Sequence, residues 1–457
     1  MGLVREMAQA LRSGQFTSSE LTERALARAE QTADLNAFIR LDGAGARAVA
    51  ATADRELQAG IDRGPLHGIP VAIKDNILTR ALVTTCGSRM LQDFVPPQDA
   101  TVVRRLRQAG AVVLGKTNLD EFAMGSSTEN SAFGPVLNPR DRTRVAGGSS
   151  GGSAAVVGAG VVPIALGSDT GGSVRQPAAF CGVVGFRPTW GTVSRSGLVA
   201  FASSLDQVGP LAADVDSARL AWEAVVGLDE AEATSWAPPG AAHAAPVRVG
   251  VPVELAAVLP DEGRALLDAA VAALGGGVSV SLPSTRFGAA AYYVLSSAEA
   301  STNLARFDGI RFGRRAAADS LEAVYRRSRT QGLGPEVQRR ILLGTFALSE
   351  GYRDAYYDQA LRARGRIRAE FDAAFEQVDV LVSLTAPEVA FPLGGKPDPV
   401  AMYRSDVLTI PAALAGVPAI SVPVPSEGLP WGVQIMGPRG ADALVFEVAA
   451  RLEAALR

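Results

Sequence analysis

Histidine is almost missing from this chain: His67 and His243 are the only two in 457 residues. A Ser-His-Asp hydrolase has almost nothing to draw on. Cysteine is as scarce, and Cys86 and Cys181 supply neither a disulfide framework nor zinc spacing. Both are expected as reduced core residues, and no metal site is expected. A net charge of −3 argues against holding nucleic acid mainly by the chain's own basic surface. Long apolar runs are also lacking. The longest, Ala154 to Leu166, is short and contains Pro163, so no segment is expected to span a membrane. Arg5, Glu6 and Arg12 among apolar residues suit an amphipathic N-terminal helix and not a signal peptide, so the cytoplasm is the expected location.

Lysine is the most telling shortage. Of 44 basic residues only Lys74, Lys116 and Lys396 are lysines, and the rest are arginines. A lysine surviving that bias can supply what arginine cannot, a nitrogen able to lose its proton. Lys396 sits in the turn-like Gly394-Gly395-Lys396-Pro397 and reads as chance survival. Lys74 differs. It ends the apolar run Ile69-Pro70-Val71-Ala72-Ile73, which reads as a buried strand, and desolvation there would lower its pKa toward that of a usable base.

Two serines lie in glycine-rich loops: Ser149 in Gly147-Gly148-Ser149-Ser150-Gly151-Gly152, and Ser173 in Asp169-Thr170-Gly171-Gly172-Ser173. Glycine leaves backbone amides open to a substrate atom, so such a loop offers a nucleophile both exposure and oxyanion donors. Two other motif matches fail on context. Gly110-Ala111-Val112-Val113-Leu114-Gly115-Lys116-Thr117 fits the phosphate-loop pattern, but its middle reads as the strand itself. Gly147–Gly151 fits the nucleophile elbow, but no strand precedes it, and the only downstream histidine is His243, in a Pro/Ala-rich loop.

The pattern alternates short apolar strands with helices, which predicts an α/β protein. Residues 1–60 read as helical, with Thr17-Ser18-Ser19-Glu20 as a cap. The segment 64–228 reads as the core that carries the glycine loops, and 229–246 as a linker loop. The segment 247–457 reads as the rest of one sheet, with helices near 286–306 and 335–375 and strands at Val378–Leu384, Ala419–Val422 and Gly432–Met436. One continuous sheet in a single 1–457 domain is expected over two domains.

Gly68–Asp75, Gly147–Ser153 and Gly167–Pro177 together resemble the amidase signature family. The resemblance implies a large mixed β-sheet flanked by helices on both faces. It implies a Ser-cisSer-Lys triad, with Ser173 as nucleophile, Ser149 as the bridging serine after a cis peptide, and Lys74 as base. The amides of Thr170, Gly171, Gly172 and Ser173 would form the oxyanion hole. Within the family, Asp120–Pro135, Ala202–Pro210, Ala300–Phe312, Arg339–Gly344 and Met402–Pro411 resemble one branch, the glutaminases that serve as the A subunits of glutamyl-tRNA(Gln)/aspartyl-tRNA(Asn) amidotransferases.

That branch implies free glutamine as substrate and a complex with the B and C subunits of the amidotransferase. Contact with tRNA would be mainly through those partners. No cofactor would sit on this chain, with ATP and Mg held by a partner. The branch places Arg340 (or Arg339) against the substrate carboxylate and Asp406 against its ammonium, with Tyr292 or Tyr293 assisting. The plain alternatives are a solvated face for the arginines and a helix cap for Asp406. A stand-alone amidase and a non-catalytic scaffold are the competing functions.

Overall fold

The computed structural model describes residues 2–239, 246–426 and 428–456. Eleven strands among them form one sheet. They are β1 (Phe38–Leu41), β2 (Pro70–Lys74), β3 (Val112–Thr117), β4 (Ile164–Asp169), β5 (Val184–Arg187), β6 (Gln207–Ala212), β7 (Val249–Pro252), β8 (Val278–Val280), β9 (Val380–Leu384), β10 (Ala419–Val424) and β11 (Trp431–Met436). Their order across the sheet is β1-β3-β2-β4-β6-β5-β10-β11-β9-β7-β8. Strand β2 runs parallel to both β3 and β4, while β4–β6, β5–β10 and β10–β11 are antiparallel. The expected mixed sheet is present.

Both faces of the sheet are buried, and alternation along the strands shows it. Val71, Ile73, Ile164 and Leu166 belong to one core cluster, which includes Val102 and Leu106 of the helix Thr101–Gln108. Ala72 and Ala165 belong to another, which includes Ala25, Ala29, Ala46 and Ala50 from the helices Ser18–Gln31 and Gly43–Gln58. Helices therefore cover both sides. Thr17 and Glu20 form the capping box read from the sequence.

The structure corrects several readings. Residues 1–60 are not all helical, because β1 lies inside them. The stretch 335–375 is two helices, Pro335–Leu348 and Arg353–Gln377, with Gly351 at φ +85° between them. Strands β5 and β6 were not legible. Gly209 and Pro210 interrupt the apolar pattern of β6, yet Pro210 pairs with Leu166 inside the sheet. His243 lies outside the described residues, as do residues 240–245 of the linker generally. No helix among the described residues is long and apolar enough to cross a membrane.

Candidate active site

The parallel pairing of β2 with β4 brings the carboxyl ends of both strands together, where ligands of open α/β sheets bind. Lys74 is the last residue of β2 and is fully buried. Its Nζ lies 2.8 Å from Ser149 Oγ, 2.8 Å from Ser150 Oγ, 3.0 Å from Ser168 Oγ and 3.3 Å from the Ser168 carbonyl. Burial lowers its pKa to about 7, against the opposing pull of Asp120, Asp169 and Asp206. Ser149 follows a cis peptide from Gly148 and directly precedes Ser150 and the helix Gly151–Gly158. The Ser150 amide donates to the Ser173 carbonyl at 3.1 Å, which ties the two glycine loops together. Ser173 Oγ forms no hydrogen bond to Ser149 or to another described residue.

The 170–173 loop is held from behind. Arg175 and Arg187 both pair with the buried Asp169 carboxylate, at 2.9 and 3.0 Å. Burial alone would raise the Asp169 pKa, but these two guanidiniums hold it well below the carboxylate range. Arg175 also donates to the Gly171 carbonyl at 3.2 Å, and the Thr170 hydroxyl donates to Asp206 at 2.6 Å. With the loop so fixed, the amides of Thr170, Gly171, Gly172 and Ser173 donate to no protein acceptor among the described residues. The loop also requires its glycines. A Cβ on Gly171 would stand 2.7 Å from the Tyr292 ring, and one on Gly172 would stand 2.1 Å from Thr409 Oγ1.

Beside this loop lie the other expected residues. Asp406 is buried and accepts a short hydrogen bond from the Ser126 hydroxyl on Oδ2, while Oδ1 has no partner. Burial raises its pKa to about 7, although the Ser126 bond pulls downward. It does not cap a helix with its side chain. Arg340 is 3% exposed, so the solvated-face reading fails for it, whereas the Arg339 side chain is 45% exposed and pairs with Glu336. The Arg340 guanidinium lies 4.5 Å from the Tyr293 ring and 4.8 Å from the Tyr403 ring. Its Nε donates to Glu336 at 2.6 Å, and one Nη is unpartnered. Tyr292, buried against Gly171, packs edge-on to Tyr293.

Sequence reasoning missed the groups that link these parts. Gln176 accepts from the Gly148 amide at 3.0 Å and donates to the Ser126 carbonyl at 2.9 Å, which joins the serine loop to the Asp406 partner. Ser150, Arg175 and Gln176 sit inside the motifs that carried the resemblance. Ser168 and Asp169 do too, and the sequence attached a role to none of the five. The remaining candidates lie apart. His67 is engaged by Glu56 at 3.0 Å and by the Arg63 amide at 3.2 Å. Lys116 lies in β3 as the strand reading requires, and is paired with Asp75 at 3.1 Å. Lys396 is no free turn residue: it pairs with Glu388 and donates to Ser405 at 2.8 Å. Both cysteines are buried and unpaired.

Residues 20–446 match the Amidase family. The A subunit of glutamyl-tRNA(Gln) amidotransferase from Synechococcus sp. (strain RCC307) is 52% identical, over 98% of this chain and 96% of its own length. Its counterpart of the same name from Natranaerobius thermophilus is 47% identical, over 99% and 95%. Among solved structures, the glutamyl-tRNA(Gln) amidotransferase A subunit of Thermotoga maritima is 41% identical with a TM-score of 0.79, covering 95% of this chain and 91% of that one. The peptide amidase of Stenotrophomonas maltophilia is 33% identical with a TM-score of 0.83, covering 99% and 96%. On this full-length likeness in sequence and fold, the chain belongs to the amidase signature family.

Proposed function

We propose that this chain is the glutaminase of a tRNA-dependent amidotransferase. It hydrolyses glutamine and supplies ammonia for converting Glu-tRNA(Gln), Asp-tRNA(Asn) or both to the cognate amides. The observation that carries this reading is the pair of buried, incompletely satisfied charged groups beside the glycine loop, Arg340 with a free Nη and Asp406 with a free Oδ1. A buried charge without a full set of partners is costly, and a ligand bearing the opposite charges would satisfy it. Free glutamine carries an α-carboxylate and an α-ammonium on the carbon remote from its amide. A simple aliphatic amide carries neither. The half-identical relatives, named as amidotransferase A subunits, agree with this reading.

The chemistry follows from the triad. Neutral Lys74 takes the proton of Ser149, and Ser149 takes that of Ser173 as Ser173 Oγ attacks the amide carbon. The C–O bond forms while the carbonyl becomes an oxyanion, which the amides of 170–173 receive. Removing one such donor typically costs about 3 kcal/mol of transition-state stabilisation. The proton returns through Ser149 to the leaving nitrogen, the C–N bond breaks and ammonia departs. Water then attacks the acyl-serine by the same relay and releases glutamate. Hydrogen bonds such as Ser149 to Ser173 commonly tighten only when substrate is bound.

The B and C subunits as partners, ATP and Mg held by a partner, tRNA docking through those partners, and a cytoplasmic location complete the proposal. The test is glutamine hydrolysis by this chain with and without the B and C subunits. Ammonia release that rises on assembly supports it. Rapid turnover of another amide, with none of glutamine in either state, would establish a stand-alone amidase instead.

A further inference from the structure

Two consecutive residues join the serine loop to the helix that carries Arg340. The Asp120 amide donates to the Ser149 carbonyl at 3.3 Å, and its carboxylate is held by the Thr128 and Asn130 amides at 2.9 and 3.2 Å. Glu121, 4% exposed, turns the other way. Its Oε2 accepts from the Gly334 amide at 2.7 Å, and its Oε1 accepts from the Ser88 hydroxyl, which lies 3.0 Å from the Gly332 carbonyl.

Gly334 caps the helix Pro335–Leu348 without a side chain of its own and Pro335 has no N–H, so the bond from the Gly334 amide to Glu121 is a direct hold on the start of this helix. The approach is close: a Cβ on Gly334 would stand 2.3 Å from Glu121 Oε2. Two residues into the helix, Glu336 Oε1 receives both Arg340 Nε at 2.6 Å and the Tyr403 hydroxyl at 3.1 Å. A continuous series of contacts thus runs from the backbone of Ser149, through Asp120 and Glu121, to the Arg340 guanidinium.

We propose that Glu121 is a positioning residue for substrate recognition, fixing the start of the Pro335–Leu348 helix against the serine loop and so setting the span from the bridging serine to Arg340. The inference rests on Arg340 being the carboxylate partner. Its physical basis is that binding two ends of one small molecule demands a fixed spacing. A carboxylate that served stability alone would have no reason to discriminate between substrates.

Steady-state hydrolysis of glutamine and of propionamide by the full-length protein tests this. Glu121→Ala leaves the Gly334 amide without its acceptor, so the KM for glutamine should rise about tenfold or more. The kcat for glutamine, and kcat/KM for propionamide, should change little. Glu121→Gln should restore the KM, because its amide oxygen still receives Gly334 and its NH2 can donate to Ser88. Gly334→Ala, which forces Glu121 aside, should reproduce the selective rise and carries the test alone if Glu121→Ala does not fold. Equal losses on both substrates in Glu121→Ala and Gly334→Ala, or no change in either, overturn the proposal while leaving the Arg340 reading intact. An Arg340→Ala variant that does not select against glutamine overturns both.

Discussion

Lys74 Nζ stands 2.8 Å from Ser149 Oγ in an interior where neither residue is exposed, and the desolvation that lowers its pKa suits the amine to the base role proposed for it. A neutral Lys74 is required for proton uptake, and its pKa is lowered to about 7. Activity should therefore rise with pH through about 7 and level off above it. This limb should vanish in Lys74→Met, whose residual rate should be lower by about 10² to 10⁴. A pH–rate profile of kcat/KM checks it, and an unchanged limb in the variant would assign the ionisation to another group.

The same shift bears on stability. Between about 7 and the ordinary lysine range, the unfolded chain holds a proton at Lys74 that the folded chain has lost. The contribution of this group to stability should then rise with pH across that window and be constant below it. Thermal melts of the wild type and Lys74→Met as a function of pH should diverge in that range, and parallel curves would contradict the lowered pKa.

Arg340→Ala and Asp406→Ala should each raise the KM for glutamine sharply, by about tenfold or more, since each removes one partner of a substrate charge. Propionamide should gain relative to glutamine. Kinetics on both substrates decide it, because equal losses would mean that the two residues only hold the fold.

Asp169→Asn should destabilise the protein by about 3–5 kcal/mol, because it leaves Arg175 and Arg187 buried without their shared counter-charge. The loop 170–173 loses its support in the same step, so glutamine turnover should fall as well. An unchanged melting temperature would show that the guanidiniums find other partners.

The three residues proposed as the triad stood out in the sequence because each lies in a local, glycine-marked or strand-ending pattern that needs no knowledge of the fold, and the structure brings Lys74 and Ser149 together. The groups that hold them did not stand out. Arg187 comes from β5 and reaches Asp169 only because β5, β6 and β4 are neighbours, and Gly209-Pro210 conceals β6 in the sequence. The neighbours of Asp406 suit a helix cap as well as a partner for the substrate ammonium, and only the fold shows its carboxylate bonded to Ser126, 280 residues away. Arg339 and Arg340 are indistinguishable as letters, and only the direction of the helix face buries one and exposes the other. Lys396 shows the same limit, since a turn-like sequence gave no sign of Glu388 and Ser405 around it.

The central claim is that Ser173 is the nucleophile, with Ser149 as relay and Lys74 as base. Trapping with an electrophilic glutamine analogue, followed by peptide mass mapping, tests it most directly. The adduct should fall on Ser173 and be abolished by Ser173→Ala, with Lys74→Met and Ser149→Ala slowing its formation by orders of magnitude. An adduct on Ser149, Cys86 or Cys181 in the wild-type protein would contradict the claim.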